Sequence, residues 1–104
     1  MSHYRVQYSP AAYEDLRAVY RYIALELQAE ETAQHQTARI RRAVRTLDRF
    51  PHRHPTVDWE PWMSMGVHKV PVDNYYVFYR VDEDRATVTI LRIFYAGSDI
   101  ENII

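Results

Sequence analysis

Hydrophobic positions change period twice along this chain. Tyr4, Val6 and Tyr8 alternate with Arg5 and Gln7, as in a half-buried strand. From Ser9 the period lengthens. Ala12, Leu16, Val19, Ile23 and Leu27 recur at helical spacing, with Tyr20 widening the stripe. Ser9-Pro10 reads as N-cap and first helical residue. Glu14 and Asp15 lie near that start, where the macrodipole favours anions. The pattern predicts a helix over 10–28. Glu30-Glu31-Thr32 opens a second helix with the apolar line Ala33, Thr37, Ile40, Val44, Leu47 and Phe50. Pro51 ends it, having no N–H to continue the ladder. Two such helices joined by a few residues form an antiparallel hairpin, and its opposite face carries arginines.

Residues 51–66, with Pro51, Pro55 and Pro61, form a connection. Trp59, Trp62, Met63 and Met65 give it enough apolar weight to pack on the body. Alternation then returns, with strands expected at about 67–72, 75–82 and 86–95 and turns at Asp73-Asn74 and Asp82-Glu83-Asp84-Arg85. Asp99 is placed to cap a last helical turn with Ile100, Ile103 and Ile104. The order β-α-α-β-β-β, plus a short C-terminal helix, predicts an α+β fold. A small antiparallel sheet carries the helical hairpin on one face, and its other face stays partly open.

Composition adds limits. The 104 residues, 47% of them hydrophobic, suit one domain spanning 1–104 with one core. Two glycines leave no room for a phosphate-cradling loop. Without cysteine there are no disulfides or thiolate metal sites, which fits a reducing cytoplasm. No apolar run reaches the roughly 20 residues of a membrane span, and the N-terminus lacks a signal-peptide core. His52-Arg53-His54 lacks a third ligand, so no metal or other cofactor is expected. The net charge of −1 conceals a basic segment, because Arg39, Arg41, Arg42, Arg45, Arg49 and Arg53 face only Asp48 within residues 39–54.

The strands hold the candidate chemistry. Lys69, Arg80 and Arg92, with His68 and Tyr95, sit in otherwise apolar fabric and suit a polyanion or a partner chain. A cation in such a strand must be paired or exposed, and Asp99 or Glu101 would serve Arg92. In strict alternation Arg92 and Phe94 share one face and Tyr95 points to the other.

The ordered set Tyr8-Ser9-Pro10-Ala11-Ala12, Phe50-Pro51, Pro61-Trp62, Asn74 to Asp82 and Val88 to Glu101 resembles the RelE/ParE family of bacterial type II toxins. The resemblance covers nearly the whole chain. It implies a toxin encoded beside an antitoxin, whose C-terminal segment wraps it, with operator DNA bound only through the antitoxin. Two targets follow. A RelE-like toxin enters the ribosome and cuts mRNA, which here implies His68, Lys69, Arg80, Arg92 and Tyr95 as catalytic residues. A ParE-like toxin blocks DNA gyrase without cutting, through a surface for which Arg42, Arg45, Arg49 and Tyr76 are the partner-binding candidates. The chain departs from the nuclease pattern at two places. Tyr76 stands where many members have arginine, and Ser98 in Ala96-Gly97-Ser98-Asp99 replaces another. Losing one positioned donor to a transition-state anion costs ~2.7–4 kcal/mol. The gyrase reading is therefore slightly favoured, with a disarmed toxin that keeps only antitoxin binding as a further alternative.

Overall fold

The computed structural model describes residues 3–100. Strand β1 (Arg5–Tyr8) leads into helix α1 (Pro10–Arg21) through Ser9. The Ser9 hydroxyl accepts the Ala12 N–H at 3.0 Å and donates to the Leu91 carbonyl at 3.0 Å. One side chain thus caps the helix and holds it to the sheet.

Helix α1 does not continue to 28. It widens into a π-helical turn over Tyr22–Glu26, with the Leu27 N–H donating to the Tyr22 carbonyl at 3.2 Å. The extra residue in that turn swings Leu27 off the stripe predicted for it, leaving it 56% exposed. Helix α2 (Glu30–Arg45) returns and tightens into a 3₁₀ turn over Thr46–Asp48. It stops short of Phe50, which is 71% exposed rather than buried at the end of the apolar line.

A 3₁₀ turn over Pro51–Arg53 and a short helix α3 (Trp62–Met65) lie in the connection. Strands β2 (His68–Val72), β3 (Tyr75–Asp82) and β4 (Thr87–Tyr95) follow close to the expected bounds. They pair antiparallel, as predicted. The spatial order is β1-β4-β3-β2, and β1 joins β4 in parallel, so the sheet is mixed rather than wholly antiparallel. The hairpin explains the direction. The Tyr4 N–H donates to the Asp48 carbonyl at 2.9 Å. Helix α2 therefore delivers the chain to the starting end of β1, and β2 sets off the same way. Gln36 and Arg39 fix α2 to the β2–β3 turn, through Asp73, at 3.0 and 2.6 Å.

Opposite Phe78 and Tyr79, β4 presents Arg92 and Ile90, which leaves Leu91 as an extra residue. The inner face (Val77, Tyr79, Val88, Ile90, Ile93) packs on Val19, Ile23, Ile40, Val44 and Leu47 of the helical layer. The outer face stays partly open, with Arg80 exposed and Thr89 and Leu91 half-buried, but its middle is covered. The connection folds over it and puts Val57, Trp62 and Val67 against Phe78, Phe94 and Ile100. Its residues 55–57 run beside β2. The Lys69 N–H donates to the Pro55 carbonyl, and the Val57 N–H to the Val67 carbonyl, both at 2.9 Å. The rest of the predicted C-terminal helical turn, with Ile103 and Ile104, lies outside the described residues.

Tyr79 joins the connection to the inner core. It is fully buried, and its hydroxyl donates to the Pro51 carbonyl at 2.6 Å. Tyr79→Phe leaves that buried carbonyl without its donor. The expected cost is ~1–3 kcal/mol, read as a lower urea midpoint with an unchanged m-value.

Candidate functional site

Alternation on β2, β3 and β4 divides the candidate residues between the two faces. Lys69 and Arg92 both lie opposite Phe78, one on each side. They are therefore two strand spacings apart, about 10 Å between backbones. The gap is occupied by Phe78, whose ring packs 4.9 Å from Trp62 and 6.1 Å from both Trp59 and Phe94, centre to centre. Lys69 turns towards Tyr76, with its ammonium 4.6 Å from the ring centre. Arg80, on the same face, donates to the Met65 carbonyl at 3.2 Å.

Arg92 is paired with Asp15 of α1, not with Asp99 or Glu101. Arg92 Nε donates to Asp15 Oδ2 at 2.7 Å and its Nη2 to Oδ1 at 3.0 Å. Asp15 Oδ2 also accepts the Ile93 N–H at 2.9 Å. The guanidinium rests over Phe94, 4.4 Å from the ring centre. This fork-to-fork pair raises Arg92 above the ordinary arginine value, chiefly through the bonds to Asp15. Asp15 is not a partner of the helix dipole, because it lies past the first turn of α1. The signal available was its position, three residues after Ala12 and four before Val19, on the buried stripe. An acid there needs a partner in the sheet.

His68 and Tyr95 lie elsewhere. His68 is buried, stacks on Tyr79 at 5.0 Å and donates Nδ1–H to the His54 carbonyl at 2.7 Å. Tyr95 is on the hairpin side, 55% exposed and 5.9 Å from the Tyr75 ring. The five residues implied for a nuclease are thus split, with Lys69, Arg80 and Arg92 outside and His68 and Tyr95 inside. A recess of about 230 Å³ remains on the outer face, lined in part by Lys69, Tyr76 and Ser98. Among the described residues no group of three metal-ligating side chains converges.

Two other surfaces are better formed. Between the π-helical turn and the ends of β3 and β4 runs a groove of about 720 Å³ lined by Ala18, Tyr22, Ile23, Leu27, Tyr75 and Tyr95. Tyr22, Leu25, Leu27 and Tyr95 leave much apolar surface exposed around it. At the opposite end of the hairpin, exposed Arg42 and Arg45 have no ion-pair partner among the described residues, and Arg49 follows them. Arg39, by contrast, is held by Asp73.

Residues 6–100 match the family described as the ParE toxin of the type II toxin-antitoxin system parDE. The chain belongs to that family. Solved structures share its fold. A chain of the chromosomal ParDE system from P. aeruginosa is 22% identical, with 91% of this chain and 98% of that one aligned at a TM-score of 0.71. The RelBE2 toxin-antitoxin complex from Mycobacterium tuberculosis gives 23% identity over 94% of this chain and 97% of its own, at a TM-score of 0.63. The isolated E. coli RelE toxin gives 14% over 96% and 93%, at 0.56. No curated protein sequence matches. Within the ParE family this chain is a type II toxin whose outer sheet face is partly covered by its own connection.

Two predictions follow from these contacts. Asp15→Ala strips Arg92 and the Ile93 N–H of their acceptor and costs ~1.5–3 kcal/mol. In a double-mutant cycle Arg92→Ala adds little to Asp15→Ala, which denaturant titration of the four proteins will show. The second concerns pH. His54 lies below the ordinary imidazole value of 6.5, because burial disfavours its charged form and Arg53 and His68 repel it. The unfolded chain takes up this proton more readily. The stabilisation is therefore complete above pH 6.5 and declines as pH falls below it. Thermal unfolding from pH 7.5 to 5.5 will show a fall in Tm that His54→Gln flattens.

Proposed function

We propose that this toxin arrests growth by blocking DNA gyrase, as ParE toxins do, and that it acts in the cytoplasm until a cognate antitoxin covers it. The observation that carries this reading is the separation of the sheet cations. RNA cleavage without metal needs a base, an acid and cations around one phosphate. Here Arg92 is bound to Asp15, His68 is buried on the other face, and Phe78, with two tryptophans packed on it, stands between Lys69 and Arg92. A binding poison needs none of that convergence. It needs exposed anchors, and the hairpin has them.

The apolar groove beside Tyr22, Leu27, Tyr75 and Tyr95 suits the amphipathic C-terminal segment of an antitoxin. Operator DNA would then be reached through the antitoxin alone. The alternative, ribosome-dependent mRNA cleavage, draws on the Lys69, Tyr76 and Ser98 recess, which would have to bind the scissile phosphate with one lysine.

Expression of the chain alone in a bacterial host separates the readings. The expected result is growth arrest with relaxed or cleaved plasmid and intact mRNA. Lys69→Ala is expected to keep full toxicity. Cuts within translated codons, lost in Lys69→Ala, would replace gyrase by the ribosome. Normal growth would mark a disarmed toxin that retains antitoxin binding and operon control.

A further inference from the structure

Phe50 is the one large aromatic residue that the apolar pattern places in the core and the fold puts in solvent. Its backbone is left-handed, at φ 48° and ψ 52°. That region is costly for a bulky residue, roughly 1–3 kcal/mol. Glycine adopts it freely, and nothing in the core uses the ring, which is 71% exposed. The conformation is enforced from outside. Arg53 Nη1 donates to the Arg49 carbonyl at 2.7 Å and to the Phe50 carbonyl at 3.1 Å, and its Nη2 donates to Thr46 Oγ1 at 2.9 Å. Arg53 therefore clamps the end of the hairpin and fixes the backbone that carries the Phe50 ring.

The surroundings are cationic. Arg42 and Arg45 lie about one turn apart on α2, both exposed, and Arg49 precedes the ring directly. An exposed aromatic on a clamped backbone beside arginines is the composition of protein-binding hot spots. A single ring is poorly suited to tracking a nucleic acid strand, which calls for several stacked rings in a row. The site is also far from the apolar groove, since the 16 residues of α2 span roughly 24 Å.

We infer that Phe50 is an aromatic anchor that enters an apolar pocket on an acidic protein surface, that of the toxin's target, with Arg42 and Arg45 pairing its carboxylates. The inference rests on the toxin reading above and names the target-facing end of the same molecule. Phe50→Gly tests it, because glycine removes the ring and relieves the strain together. The variant is expected to melt at or above the wild-type temperature. It should nevertheless inhibit supercoiling by purified gyrase at least tenfold less well and lose growth arrest. Arg42→Glu with Arg45→Glu should weaken inhibition similarly and more strongly at low salt.

A Phe50→Gly protein as potent as wild type overturns the inference. Wild type that arrests growth without touching gyrase removes gyrase only. Growth arrest by the same pair of proteins then decides, with equal arrest counting against Phe50. Wild type that binds a single-stranded RNA oligonucleotide through Phe50, with gyrase inhibition unchanged, overturns the acidic-protein partner. A wild-type chain that never arrests growth overturns both readings.

Discussion

The carboxylate of Asp15 is the contact on which the arrangement of this molecule turns. Strand β4 lies inside the sheet, yet β1 pairs with it only from Thr87 to Ile90. Beyond that point its backbone would face outward unpaired. Ser9 takes the next two carbonyls through its N–H and hydroxyl, and Asp15 takes the Ile93 N–H. The cap and first half of α1 therefore stand in for the missing strand. The same carboxylate binds the guanidinium of Arg92 on the outer face. Helix position, strand edge and the orientation of a functional candidate are thus set together, and the Leu91 bulge falls where the strand neighbour changes from β1 to α1.

Most of the architecture was legible because the pattern and the turn residues agree. The Ser9-Pro10 start and the turn at Asp73-Asn74 lie where local chemistry placed them, whereas α2 ends at Arg45, before Pro51. Misses arose where one residue changed the count. A π-helical turn cannot be read from periodicity, and it moved Leu27 out of the core. The 3₁₀ turn at Thr46–Asp48 did the same for Phe50. The parallel β1–β4 pairing depends on where α2 ends in space, which no local window reports. At the site, the cations and aromatics were legible as residue types. Their distribution between faces followed from alternation, but the partner of Arg92 was 77 residues away.

The covered middle of the outer face decides how the chemistry is read. The same sheet could display Lys69 of β2 and Arg92 of β4 towards a substrate if the space between them were empty. Here Val57, Trp59 and Trp62 come down from the connection and pack on Phe78, a favourable burial of aromatic area. On the reading proposed above, binding falls to surfaces at the two ends of the hairpin. One is apolar beside the π-helical turn, and the other is cationic beside Phe50. They differ in chemistry as well as place, so a partner suited to one is poorly matched to the other.

The pairing of β1 with β4 also orders events in time. Residues 5–8 find their partners at 87–90, so nearly the whole chain separates them. Strand β4 is synthesised last, yet β1, β3 and α1 all depend on it for hydrogen bonds. Loop closure over such distances is slow compared with local helix formation. A nascent chain still lacking β4 has its helices and the β2–β3 hairpin, but nothing to join β1 and α1 to that hairpin. The single sheet, and the seat of α1 on it, therefore form only after β4 has been made.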